Sequence, residues 1–311
     1  MKGLPTLESV DTEELAVCEA YPYVVMAGPV FGYAMQVDKL AWRLLSNGMP
    51  SHTPQEERDS LRAHLYGRGT AEPDPDTSKE YIATALKLDW ERHDELTVAD
   101  RRFRIVRGDQ FVCVGPEGPK PPRPADPDPA GEHWRHPSDD KGRLIHATVP
   151  SGRLAILLGQ GCIPLVPSAG TVPTDIYRDA RRAAKTYANF MLLAATFTAA
   201  EQIGAGWEQC IGVCRTPRWA RETLASHLRG RDGTADGCER ATEALERNRR
   251  DEVVVRDRRF RIARVETVLY FAADGPEPPR PSDHDPYPPP DLQMQQLREA
   301  DGLVGEPDDQ G

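Results

Sequence analysis

The strongest constraint on this chain is that part of it occurs twice. Residues 94–129 (DELTVADRRFRIVRGDQFVCVGPEGPKPPRPADPDP) align without a gap over 251–286 (DEVVVRDRRFRIARVETVLYFAADGPEPPRPSDHDP), at an offset of 157, with nineteen of 36 positions identical. Ordinary residue frequencies would give about two or three, so the copies share descent, and one folding unit must appear twice. A second block, TPQEERDSLRAHLYGR at 53–68 over TPRWARETLASHLRGR at 216–231, runs at an offset of 163; six residues are missing from the second copy's connection. Further upstream Phe31, Gln36 and Trp42 can be laid over Phe197, Gln202 and Trp207 with one small gap. The unit thus covers about 12–129 and again about 175–290.

Each copy reads in the same order. A helix (11–20; 175–187) precedes two apolar strands (22–35 and 39–46; 189–202 and 206–214) rich in Val, Ile, Phe, Tyr and Trp. A helix follows, with Thr53 or Thr216 as N-cap, Pro54 or Pro217 in its first turn, Glu56 completing a capping box in the first copy, and Gly67 or Gly230 at its end. The next helix lines up Tyr81, Ala85 and Leu88, or Cys238, Ala241 and Leu245, on one face. Three short strands close the unit. In the shared RRFRI, Phe103 and Ile105 alternate with Arg102 and Arg104, and Phe260 and Ile262 with Arg259 and Arg261, which predicts one core face and one basic, solvated face.

The predicted fold class is α+β: two tandem homologous modules, each of about three helices and five short, mainly antiparallel strands, related by a pseudo-two-fold, with proline-rich extended arms. The first module is 1–129, the connector 130–174, the second module 175–290, and 291–311 an acidic tail expected to be disordered. The arms, 118–129 and 275–290, carry too much proline for a sheet ladder and read as polyproline II, each packed on its own module.

Composition narrows the function classes. Lys plus Arg is 39 against 49 Asp plus Glu, a net charge of −10, so the overall field opposes nucleic acid and anionic membrane. The longest apolar runs, 154–166 and 188–200, are 13 residues each, short of a membrane span, and the first 14 residues resemble neither a secretory signal nor a transit peptide. Six cysteines without Cys-x-x-Cys spacing read as buried thiols in a reducing cytoplasm.

The paired RRFRI and GP-x-x-PPRP-x-D signatures resemble a family of actinomycete proteins of unknown function, over most of the chain. The resemblance implies a cytoplasmic bacterial setting and transfers no catalytic residue.

Candidate functional residues are the polar positions that both copies kept. Arg102, Arg104 and Arg107, with Arg259, Arg261 and Arg264, offer forked guanidinium groups for a phosphate or carboxylate, or form a solvated strand face paired to nearby acids such as Asp94, Glu95, Asp251 and Glu252. His64 and His227 share a helical face with leucines, as imidazoles bonded to a backbone carbonyl or as general bases. Asp126/Asp128 and Asp283/Asp285 read as turn caps, with a hard cation as the other use. His133 and His136, and Gly159-Gln160-Gly161, are weak metal and nucleotide signals in the connector. With no catalytic motif, the expectation is a non-enzymatic intracellular interaction protein using the surface or groove between its modules, with a protein partner, no nucleic acid, no membrane, no cofactor and no metal. Two other readings stand: an enzyme or small-anion binder on the arginine strands, and an acidic immunity-type protein masking a basic partner.

Overall fold

Alternating apolar residues give strands, and these strands need neighbours on both sides. The computed structural model describes residues 20–129, 142–146, 166–232 and 237–300, apart from 40, 47, 48, 50 and 168. They form a mixed α+β fold of six helices and one large, antiparallel, twelve-stranded sheet.

The first part runs β1 (Tyr23–Gln36), β2 (Ala41–Leu44), α1 (Pro54–Ala71), α2 (Pro75–Lys87), β3 (Glu95–Val98), β4 (Arg101–Gly115) and β5 (Gly118–Pro119). One connector strand, β6 (Arg143–His146), follows, and then α3 (Thr174–Thr186) and β7 (Asn189–Leu192). The rest is β8 (Thr196–Ile203), β9 (Gly206–Gln209), α4 (Pro217–Asp232), α5 (Cys238–Glu246), β10 (Glu252–Val255), β11 (Arg258–Ala272), β12 (Gly275–Pro276) and α6 (Pro290–Ala300). The sheet order is β6-β2-β1-β4-β11-β8-β9, and β4 pairs directly with β11 at its centre.

Several local expectations hold. Thr53 caps α1 in a capping box with Glu56, and Thr216 Oγ1 accepts from the Trp219 N–H at 3.1 Å at the start of α4. Phe103, Ile105, Phe260 and Ile262 are wholly buried. Tyr81, Ala85 and Leu88, and Cys238, Ala241 and Leu245, face the core.

Others are corrected. The closing strands are not all short: β4 and β11 have 15 residues each, β4 pairing with β1 along most of its length and the two long strands meeting over Gly108–Val112 and Val265–Leu269. Gly67 and Gly230 do not end their helices; α1 continues to Ala71 and α4 to Asp232. The arms begin in the sheet, since Gly118–Pro119 and Gly275–Pro276 pair with β4 and β11. Positions 291–300, expected within the disordered tail, lie in α6, whose start is held by the Asp291 N–H donating to the Asp89 carbonyl at 3.1 Å. Cys113 and Cys210 are only half-buried, whereas Cys214 and Cys238 are buried. Positions 11–19 of the first predicted helix, Cys18, Cys162, His133, His136 and the Gly159–Gly161 loop lie outside the described residues.

Candidate functional site

The RRFRI strands face core on one side, but their other side is not solvated. Arg104 is 3% exposed and Arg261 8%, because the segment following the opposite long strand lies over each of them. Arg104 Nε donates to Glu95 Oε2 at 2.8 Å, its Nη2 to Asp274 Oδ2 at 2.5 Å and its Nη1 to the Pro276 carbonyl at 3.0 Å. Arg261 Nε donates to Glu252 Oε2 at 2.8 Å and its Nη1 to the Pro119 carbonyl at 3.4 Å. Arg102 is bonded to Glu95 and Asp274, Arg259 to Glu252 and Glu117. These bonds raise the Arg102 pKa, Asp274 contributing most, and hold the Asp274 carboxyl down at about 2.

Each arginine pair also caps a tryptophan. The Arg102 and Arg104 guanidinium carbons lie 5.3 and 4.9 Å from the Trp42 ring centre, and those of Arg259 and Arg261 lie 5.4 and 5.5 Å from that of Trp207. The backbone of the arm also comes close to each ring. Gly275 (φ +126°) and Gly118 (φ +113°) occupy conformations that side chains rarely adopt, and a Cβ at Gly118 would lie 2.5 Å from Trp207 Cε2.

The third arginine of each set locks the arm. Arg107 Nε donates to both Asp283 oxygens at 3.0 and 3.1 Å, its Nη1 to Asp109 at 2.9 Å, and its backbone N–H to the Glu277 carbonyl at 2.8 Å. Arg264 Nε donates to both Asp126 oxygens at 3.2 and 2.9 Å, the Arg264 N–H to the Lys120 carbonyl at 2.8 Å, and Arg264 also pairs with Glu266. Farther along, Asp285 accepts from Arg58 Nη1 at 2.6 Å and from the Gln55 N–H at 3.0 Å, at the start of α1. Asp128 accepts from Arg221 and, at 2.6 Å, from the Arg218 N–H at the start of α4.

The arms are therefore exchanged. The segment after β5 packs on β11 and α4, and the one after β12 packs on β4 and α1, which corrects the expectation that each covers its own module. Asp126 and Asp283 do cap turns, accepting from the Arg123 and Arg280 N–H groups at 2.8 and 2.6 Å, and the other D-x-D bonds go to arginine side chains and to backbone N–H groups at the starts of α1 and α4. Among the described residues no group of three His, Cys, Asp or Glu is placed to hold a metal.

His64 and His227 are half-buried, and Nε2 of each has no hydrogen-bond partner among the described residues, so the expected carbonyl bond is not made there. His64 lies between Tyr33 and Phe103, with ring centres 5.6 and 6.2 Å away; burial lowers its pKa, helped by Arg68, and keeps it neutral. The two histidines and the arginines are not brought together into one site.

Sequence reasoning missed Glu57. It is 1% exposed, receives Ser51 Oγ at 2.6 Å, and leaves Oε2 without a partner among the described residues. Burial pushes its carboxyl up to about 7, and partial burial, helped by the Glu57 charge, pushes the half-buried Tyr33 hydroxyl up to about 12. The signal was present: Glu57, Leu61 and Leu65 share one face of α1, an acid on an apolar stripe, and the second copy has Ala220 at that place. A carboxyl that holds its proton more tightly when folded than when unfolded stabilises fully below the ordinary value of 4.5; that contribution fades as pH rises through about 7. Glu57→Gln is accordingly expected to remove a fall in stability of up to about 3 kcal/mol between these pH values, read from urea midpoints at pH 5 and 8. An unchanged pH dependence would show that Glu57 ionises freely.

Comparison with known proteins gives one result. A family model described as a family of unknown function (DUF5954) matches residues 5–286 and, a second time, 216–310. No curated protein and no solved structure matches the chain.

Proposed function

The chain belongs to the DUF5954 family of unknown function, and we propose that it is a non-enzymatic interaction protein made of two like modules about a pseudo-two-fold. The register of the central strands supports this arrangement: Gln110 of β4 stands opposite Thr267 of β11, and these positions are 157 apart, the offset of the repeat itself. An axis through that pair carries Arg107–Asp283 onto Arg264–Asp126 and the Arg104–Pro276 bond onto Arg261–Pro119. In this reading the proline-rich arms are clasps between modules, and the repeated arginines serve assembly.

The observation that carries the functional reading is an exposed apolar strip. Tyr23 and Val25 of β1 are 66% and 54% exposed, and they stand opposite the half-buried Val114 and Val112 of β4 on the same sheet face. Uncovered aromatic and β-branched side chains on a sheet mark a contact surface. The small-anion reading draws no such support, because its six arginines already bind carboxylates within the chain. A basic protein partner fits the net charge of −10, and the setting expected is the bacterial cytoplasm. No helix among the described residues is long and apolar enough to cross a membrane.

The test is photo-crosslinking from a benzophenone side chain at position 23 in cells of the source organism. One discrete protein adduct is expected, lost on Val25→Glu while the melting temperature stays within about 2 °C, as for a surface change. No adduct from positions 23 and 25, together with a melting temperature raised by phosphate, nucleotides or dicarboxylates at low salt, would overturn the reading for the anion-binding one.

A further inference from the structure

β2 and β9 occupy matching places in the two copies, but their outer edges differ. β2 pairs with β1 through Gln36↔Trp42 and Met35↔Arg43, and β9 with β8 through Gln202↔Trp207 and Glu201↔Glu208. Trp42 and Trp207 receive the same arginine pair and the same arm glycine. β2 is then covered by β6, in the register Trp42↔Ile145 and Arg43↔Leu144, and Ile145 is 2% exposed in one buried cluster with Trp42. β9 pairs with β8 alone among the described residues, and Trp207 is left half-buried where Trp42 is 2% exposed.

We propose that the outer edge of β9 is a strand-addition site for an extended segment of a partner protein, which docks antiparallel as β6 docks on β2. This rests on the interaction-protein reading and names a surface for it. The Cys210 N–H donates inward to the Ala199 carbonyl at 2.9 Å, so by alternation Trp207 and Gln209 turn their N–H and C=O groups outward as an open ladder. The β6 register fixes the chemistry of the guest: an aliphatic residue opposite Trp207, doing what Ile145 does for Trp42, and a basic residue opposite Glu208. Glu208 is exposed and has no ion pair among the described residues, whereas the corresponding position in β2 is Arg43. The same carboxylate opposes a second copy of the chain, since antiparallel pairing of two β9 edges brings Glu208 beside Glu208.

The probe is a synthetic peptide with the sequence of residues 141–147, which carries the β6 strand, and a Leu144→Lys version of it that sets lysine opposite Glu208. Both are expected to bind the full chain saturably and to shift the Trp207 and Gln209 amide resonances, the lysine peptide about two- to fivefold tighter. Gln209→Pro removes one outward N–H at an edge where proline is tolerated, and should weaken binding about tenfold without lowering the melting temperature. No saturable binding of either peptide, or equal binding to Gln209→Pro, overturns the proposal. A concentration-dependent dimer abolished by Gln209→Pro overturns it in favour of a second copy as the guest. A Tyr23 adduct alongside a silent β9 edge would leave the general interaction reading standing and reject this surface.

Discussion

Arg107→Ala is expected to destabilise the protein by about 3–5 kcal/mol, one of the two largest effects predicted for a single side chain here. Arg107 is 5% exposed, and its guanidinium holds Asp283 of the arm and Asp109 of its own strand at once. Burial opposes the charge, and the two aspartates with Glu277 more than offset it, so the Arg107 pKa is raised. Alanine leaves two nearly buried carboxylates facing each other without a counter-charge, and an uncompensated buried charge costs more than the ion pair contributes. Arg107→Lys should recover only part of the loss, since an ammonium has no second nitrogen to hold Asp109 while the first holds both Asp283 oxygens. A double-mutant cycle with Asp283→Ala, measured by urea unfolding, should show coupling of about 1–3 kcal/mol. A loss below about 1 kcal/mol for Arg107→Ala would mean that the arm does not hold β4.

How the arms lie explains what the sequence could and could not disclose. The caps at Thr53 and Thr216 and the alternation Phe103-Arg104-Ile105 depend on neighbours a few residues away, and all three are readable from the chain. The bond from Arg104 to Pro276 joins residues 172 apart, and no local periodicity points to a partner at that separation. A repeat makes the matter worse, because an arm that fits its own module fits the other copy equally by sequence. The count of charges was the available clue: both copies keep Arg104, Arg107 and two arm aspartates. Arginines kept beside acids more often hold a structure than a ligand, and of the two uses weighed for them the internal one is seen.

The long strands have the same origin. A module alone would leave Gly108–Val112 of β4, between the stretches paired with β3 and β5, without a neighbour on one side, and an open strand edge invites aggregation. Pairing β4 with β11 removes both edges at once, and the buried Phe111, Val268 and Tyr270 then form a cluster shared between the copies. Glu57 was hidden for another reason. An acid on an apolar helix face looks like a surface residue until tertiary packing covers it, and here the covering groups, Ser46, Ser51 and Tyr33, come from outside α1.

Phe260→Ala is the other large effect, about 3–5 kcal/mol, the usual loss for truncating a fully buried aromatic. Phe260 is 0% exposed and belongs to the core formed with Leu224, Leu228 and Leu245, and the Arg258 guanidinium carbon lies 4.9 Å from its ring centre. Phe103 holds the matching place in a separate cluster with Leu61, Leu65 and Tyr81. The two cores share no residue, so each truncation should cost a similar amount, and in the double variant the losses should add to within about 0.5 kcal/mol if both copies unfold together. The clasps and the β4–β11 pairing join the cores into one sheet, so a single cooperative transition is expected for all three variants. Two separated transitions, with only one shifted by Phe260→Ala, would show that the modules unfold independently and that the exchanged arms do not couple them. A melting temperature unchanged by either substitution would place the RRFRI phenylalanines in solvent and reverse the register of both central strands.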